Sequence, residues 1–301
     1  MRRAVMAGVV VLVLVAVIGI VLGMRQVGEG LRLPLASRKC TVQADGEVSL
    51  NAHQMANAAT IAAIGVQHGM PERAVVVALA TAYQESGLRN LAGGDRDSVG
   101  LFQQRPSQGW GTPTEIRDPR YAADKFYTAL KKVRGWEDMR VTDAAQKVQR
   151  SAFPEAYEKW ANDSAVLTRA LLGEATGAVA CTVDDDPAMR GAAAAAALTR
   201  GLTLDWGLTD SASAAEQTKA LDVVGTRVNR DGGLTGLTVS AADERAGWRY
   251  AHWLVSHAND HGVKKVRFGG MEWTDRNGTW KRLADREKND NQVVVEIHAD
   301  L

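Results

Sequence analysis

The chain has no excess of charge of either sign: 36 Lys and Arg stand against 35 Asp and Glu, a formal net charge of +1. Polyanions such as nucleic acid are gathered chiefly by net positive charge, so charge-driven binding of that kind is excluded as a basis for function. Cysteine is scarce. The two present, Cys40 and Cys181, allow at most one intramolecular bridge. Four Phe and five Tyr are few beside eight Trp, and packing in the core and at cleft rims accounts for most rings of that kind. No internal repeat is visible.

What is present begins with a long apolar run. Ala4 to Met24 carries no charge and follows Arg2 and Arg3. As a helix it would span roughly 30 Å, one hydrocarbon core. The run exceeds the roughly 7–15 apolar residues of a secretory signal, and Val21-Leu22-Gly23 matches a small-x-small cleavage site poorly. The reading is an uncleaved transmembrane anchor over 4–24, with residues 1–3 a short cytoplasmic end. Cys40 and Cys181 are each followed by Thr-Val and bracket one segment, as the tied ends of a domain would. A bridge of that reach would contribute roughly 4–5 kcal/mol in the chain-entropy description and belongs to an oxidising compartment. Anchor and bridge together predict a single-pass membrane protein whose body is extracytoplasmic.

The remaining organisation follows from periodicity. Residues 25–46 read as a polar linker. From Ser49, apolar positions recur at helical spacing up to Gly69. Pro71 then opens a second helix, Glu72 to about Ser86, whose AVVVALATAY is apolar almost all round and belongs at a domain centre. Asn90 to Gly100 is a Gly- and Asp-rich loop. Further helices are predicted over 119–133, 142–151 and 154–172. The acidic run at 184–186 marks a boundary, giving a domain over 47–181, a linker and helix over 182–199, and a smaller α+β domain over 200–301. In that last part LTLDWGL and LTGLTVS read as strands around a helix near 213–228. Ser240 is placed to cap a long helix through His261, and Asn277-Gly278 signals a hairpin. The predicted fold class is α+β: an N-terminal transmembrane helix, a mainly-α domain, then the smaller α+β domain.

Glu85 stands out chemically. A general acid that works near neutral pH must hold its proton there. Apolar surroundings and the negative end of a helix dipole both favour the protonated carboxyl. Position alone would more often mean a solvated glutamate, so the local sequence decides. Glu85-Ser86-Gly87 is followed, after the polar loop, by Gly94-Asp95-Arg96-Asp97-Ser98-Val99-Gly100-Leu101-Phe102-Gln103.

This pair of motifs resembles the signature of the goose-type lysozyme and soluble lytic transglycosylase superfamily, a helix-ending E-S followed by G-L-M-Q, with Phe102 here in place of Met. The longer stretch from Gln84 to Tyr127 looks like the actinobacterial, membrane-anchored muralytic branch, and the resemblance covers roughly residues 49–172. It implies a lysozyme-like domain that cleaves peptidoglycan glycan strands with Glu85 as general acid. It makes Gly100, Leu101, Phe102 and Gln103 a cleft-wall motif, with Ser98 and Gln103 as hydrogen-bond partners for the substrate's acetamido group or for the acid. Asp95 and Asp97 compete as a second, water-positioning carboxylate; Asx turns are the bland alternative for both. Trp110 could floor a sugar subsite or anchor its loop, and Arg105 could meet a substrate carboxylate or pair with a surface acid. Transglycosylases of the superfamily carry an Ala-Tyr-Asn motif whose tyrosine approaches the acid. The comparable helix here, Ala145 to Ser151, has none; Gln149 is a substitute, and Tyr157 lies near in sequence.

His252, His257 and His261 share one predicted helix but lack the H-E-x-x-H spacing, so they read as solvated helix-face residues. The surrounding segment resembles a C-terminal domain distantly similar to zinc D-alanyl-D-alanine carboxypeptidases. The stretches that would supply ligands, Ala220 to Val223 and Val293 to Glu296, have no histidine. A non-catalytic wall- or partner-binding module is the expectation. No metal or cofactor is called for. The expected partners are peptidoglycan, the membrane through 4–24, and no nucleic acid. The competing reading is a non-catalytic peptidoglycan-binding scaffold of an envelope or secretion assembly.

Overall fold

The computed structural model describes residues 39–183, 187–210, 223–228, 234–284 and 291–300. The chain opens with a β-hairpin, β1 (Lys39–Gln43) and β2 (Glu47–Asn51), inside the stretch expected to be linker and helix start. The eBiBe and eBeBe alternation of these strands buries Cys40, Val42, Val48 and Leu50, a period-2 pattern too short to stand out from its polar neighbours. Asn51 then caps α1 (Ala52–Gln67) in a reciprocal box with Gln54. After Gly69 and Pro71 comes α2 (Glu72–Ser86), buried from Ala74 to Tyr83 on nearly every face. The short α3 (Pro113–Ile116), α4 (Pro119–Leu130), α5 (Val141–Gln149) and α6 (Ala161–Leu171) complete the helical part. α1, α4, α5 and α6 all pack against α2, which explains its all-round apolar sequence.

Strand β3 (Val179–Cys181) returns to pair with β1, giving a three-stranded sheet in the order β2-β1-β3. Cys40 lies opposite Cys181 in that register and the two form a disulfide across 141 residues of sequence. The expected bridge is therefore present.

The rest of the chain forms α7 (Gly191–Trp206), β4 (Thr209–Asp210), β5 (Val223–Val228), β6 (Leu234–Ser240), α8 (Glu244–Ser256), α9 (Ala258–His261), β7 (Val263–Phe268), β8 (Met271–Thr274), β9 (Trp280–Arg282) and β10 (Gln292–Ile297). The strands make one seven-stranded sheet, β4-β5-β6-β10-β7-β8-β9, antiparallel except for β4 beside β5. LTLDWGL, read as a strand, instead continues the alanine-rich helix: Leu198, Leu202 and Asp205 are buried at helical spacing while Leu204 is half exposed. Residues 223–228, placed in a helix by the sequence reading, are a strand; 211–222 lie outside the described residues. Asp243, not Ser240, caps α8. The Asn277-Gly278 turn joins β8 to β9 as expected.

Helix α8 packs on β7 on one side and on α1 and α6 on the other, so residues 38–301 form one compact unit. Buried polar groups stitch this seam. Asp205, inaccessible to solvent, pairs with the Arg120 guanidinium of α4 and accepts from Thr60 Oγ1 (3.0 Å) and Trp253 Nε1 (2.8 Å). His252 is fully buried: its Nδ1 meets the Ala170 carbonyl at 2.7 Å, and its Nε2 accepts the Ala178 N–H at 3.0 Å. A carbonyl can only accept, so the ring is the neutral Nδ1–H tautomer. Burial lowers the pKa of His252 and of His257, also buried, to about 4. These histidines, expected on a solvated face, are core residues because α8 is covered on both sides.

Among the described residues no helix is long and apolar enough to cross a membrane. The longest, α1 and α7, have 16 residues, short of the ~20 that a bilayer core requires. The expected fold class and the expected single-pass membrane location are corrected accordingly: the described fold is α+β without a membrane helix, and residues 4–24, on which that expectation rested, lie outside the described residues. The Cys40–Cys181 disulfide is compatible with an extracellular location.

Candidate active site

Glu85 is the penultimate residue of α2. Gly87 ends the helix in the left-handed conformation (φ 62°) and returns its N–H to the Tyr83 carbonyl. Ser86, buried beside Glu85, donates from its hydroxyl to the Leu101 carbonyl at 2.7 Å. That bond ties the helix end to the Gly100-Leu101-Phe102-Gln103 turn, which explains in physical terms why the two motifs belong together. The turn needs its glycines. Gly100 has φ 78°, and a Cβ there would meet the Ile116 carbonyl at 2.6 Å; a Cβ on Gly94 would lie 1.7 Å from Gln103 Oε1.

The turn also sorts the four residues of the cleft motif. Leu101 and Phe102 are fully buried, with Phe102 stacked on Phe126 at 4.7 Å. Both lie in the core, and Gly100 is buried against Ile116, so the wall that faces the groove comes from Gln103. Gln103 adopts a positive φ of 48° and donates from Nε2 to the Gly100 carbonyl; Ser98 Oγ lies 3.0 Å from its Oε1. Gln149, from the end of α5, donates to the Phe102 carbonyl at 2.7 Å.

These residues line an open groove of about 530 Å³, together with Glu85, Asp95, Arg96, Gln104, Arg105, Gln108, Trp110 and the loop Arg150 to Phe153. Glu85 is half-buried, not sealed in a dry pocket. The two candidate second carboxylates differ sharply. Asp95 lines the groove with its side chain 92% exposed. Asp97 accepts from Arg105 Nε (2.8 Å) and the Ser107 N–H (2.7 Å), and these bonds hold its carboxyl well below the usual carboxylate range. Asp97 therefore fixes Arg105 and the turn at Pro106 rather than lining the groove. Trp110 is half-buried on the groove wall, where its carbonyl accepts from Tyr121.

α5 places no tyrosine beside Glu85, but another segment does. Tyr157, buried, donates from its hydroxyl to Glu85 Oε1 at 2.7 Å. Burial, and then its contact with Glu85, push the phenol above its ordinary range, so it remains a neutral donor. Sequence reasoning noted Tyr157 only as lying near. The one turn of 3-10 helix at Glu158–Trp160, which starts the chain back toward α2, brings it to the acid. The same return stacks Trp160 on Tyr83 at 4.7 Å and lets its Nε1 donate to Gln84 at 3.1 Å. Phe153, Arg96 and Arg150 were missed as groove residues. An aromatic just before Pro154, in a loop between helices, was the available signal for the first.

Among the described residues no group of three or more His, Cys, Asp or Glu is placed to hold a metal ion. Ala220 to Asp222 lie outside the described residues, while Val293 to Glu296 form part of β10. No protein-family model matches the chain, and no curated protein matches its sequence.

Proposed function

We propose that this protein cleaves the glycan strands of peptidoglycan, with Glu85 as the general acid. The observation that carries the reading is the Tyr157–Glu85 contact at the edge of the groove. Among the described residues it is the one side-chain hydrogen bond of Glu85, so one carboxyl oxygen is fixed and the other is left to exchange a proton with substrate. A half-buried carboxyl at a helix C-terminus is poorly placed for stability, which favours a chemical role over a structural one.

Two outcomes share the first step, protonation of the leaving glycosidic oxygen by Glu85. In hydrolysis by inversion a second carboxylate activates water. In lytic transglycosylation the Glu85 carboxylate takes the proton back from the C6 hydroxyl of the muramic acid as that oxygen closes onto C1, and no water is consumed. Asp97 is engaged by Arg105 and Ser107, and Asp95 projects into solvent, so the arrangement favours the single-carboxylate route. The groove lining includes Arg96, Arg105 and Arg150 against Glu85 and Asp95, a balance suited to a strand that bears lactyl or peptide carboxylates.

The test is to digest purified peptidoglycan with the full-length protein and analyse the sugar ends by mass spectrometry. The reading expects 1,6-anhydro ends. Reducing ends would move the assignment to hydrolysis with Asp95. Binding without any cleavage by a folded protein would favour the scaffold reading instead.

A further inference from the structure

Phe153 is the most exposed large apolar side chain among the described residues, at 72%, and it lies on the wall of the groove that holds Glu85. The loop that carries it is fixed at several points. Gln146 clamps Ser151 through both backbone groups, at 2.8 Å to its carbonyl and 3.2 Å from its N–H. Ser151 Oγ accepts the Phe153 N–H at 3.1 Å, Thr142 donates to the Pro154 carbonyl, and Arg140 grips Glu155 with two bonds of 3.1 Å. Four residues further on, the same segment supplies Tyr157 to the acid.

We propose that Phe153 is a sugar-stacking platform, holding one pyranose ring of the strand beside the bond that Glu85 protonates. The inference rests on the glycan-cleaving reading of this groove and adds a subsite to it. A single exposed ring is ordinary on a protein surface, so the weight lies on where this one stands: on the wall of the groove that holds Glu85, on a loop clamped by hydrogen bonds, where a bound strand would cover it. The rest of the lining is polar or charged apart from Trp110 and Ala152. Separate flat rings in an otherwise polar groove match a pyranose, which has a C–H face and a hydroxyl rim; a lipid or apolar peptide would need a continuous apolar surface.

The test uses the full-length protein with Glu85→Gln, so that strands are bound and not cut, and soluble uncross-linked peptidoglycan strands as the probe. Adding Phe153→Ala should weaken binding about tenfold, the size expected for one lost ring contact. Phe153→Leu should lose as much, because it keeps apolarity without the flat face, whereas Phe153→Trp should stay within about threefold. Thermal unfolding should be nearly unchanged in all three, as the ring is exposed. Equal affinity for the Ala, Leu and parent proteins would overturn the platform while leaving the Glu85 reading intact. Failure of the Glu85→Gln protein itself to bind strands would overturn both.

Discussion

The two ends of this molecule treat buried charge in opposite ways. At the seam between α7, α8 and the helical part, Asp205 is inaccessible and is met by Arg120, Thr60 and Trp253, and His252 uses both ring nitrogens. At the groove, Glu85 is half-buried and holds one partner, Tyr157. A fully partnered ion specifies structure, since removing one member strands the others. A partly partnered acid on a groove wall has capacity left for a substrate. The two carboxylates differ both in burial and in hydrogen-bond satisfaction, and the proposed function reads the less satisfied one as the chemical group.

The sharpest way to break this contrast is at Asp205. Asp205→Ala should cost about 3–5 kcal/mol of stability, toward the lower figure because the partner Arg120 retains some solvent contact. Denaturant unfolding would show it, and a loss below about 1 kcal/mol would mean that the seam is not held by this ion.

A second, smaller effect follows from His252. Its folded pKa of about 4 lies below the ordinary 6.5, so the unfolded chain binds more protons between those values. Stability is then greatest above about pH 6.5 and falls as pH drops toward 4, by about 2 kcal/mol for this one group between pH 7 and pH 5. His252→Gln should flatten that slope relative to the parent; identical slopes would mean that the ring does not titrate on unfolding.

The smallest effect sits on the groove side. Tyr157→Phe removes the donor to Glu85 and should lower kcat about tenfold, the worth of one hydrogen bond to a charged group, with KM nearly unchanged. A rise in KM alone would reassign the tyrosine to substrate binding.

Much of the region around the groove was legible because local chemistry dictates it. The all-apolar helix α2 and its end at Ser86-Gly87 follow from residues close in sequence, whereas the Ser86-to-Leu101 bond that ties the two motifs appears only in the structure. The Cys40–Cys181 pairing also followed, from two cysteines that bracket one segment. What escaped was long-range. The partner of Glu85 comes from 72 residues away, after a loop whose path no periodicity reveals. The cleft motif named Leu101 and Phe102 together with Gln103, yet the turn sends the first two into the core, and sequence does not show which way a turn faces. In the second half, period-2 spacing of Leu202, Leu204 and Trp206 imitated a strand, while the alanine run before them carried the helix onward. His252 of α8 looked solvated because the groups that meet its ring, at Ala170 and Ala178, are distant in sequence.

The most direct measurement is strand cleavage by the full-length protein with Glu85→Gln, set beside strand binding and unfolding by the same variant. A fall in cleavage of about 10²- to 10⁴-fold, with binding and stability close to those of the parent, is what a spare-capacity acid predicts. Undiminished cleavage, or a variant that loses stability as Asp205→Ala should, would contradict it.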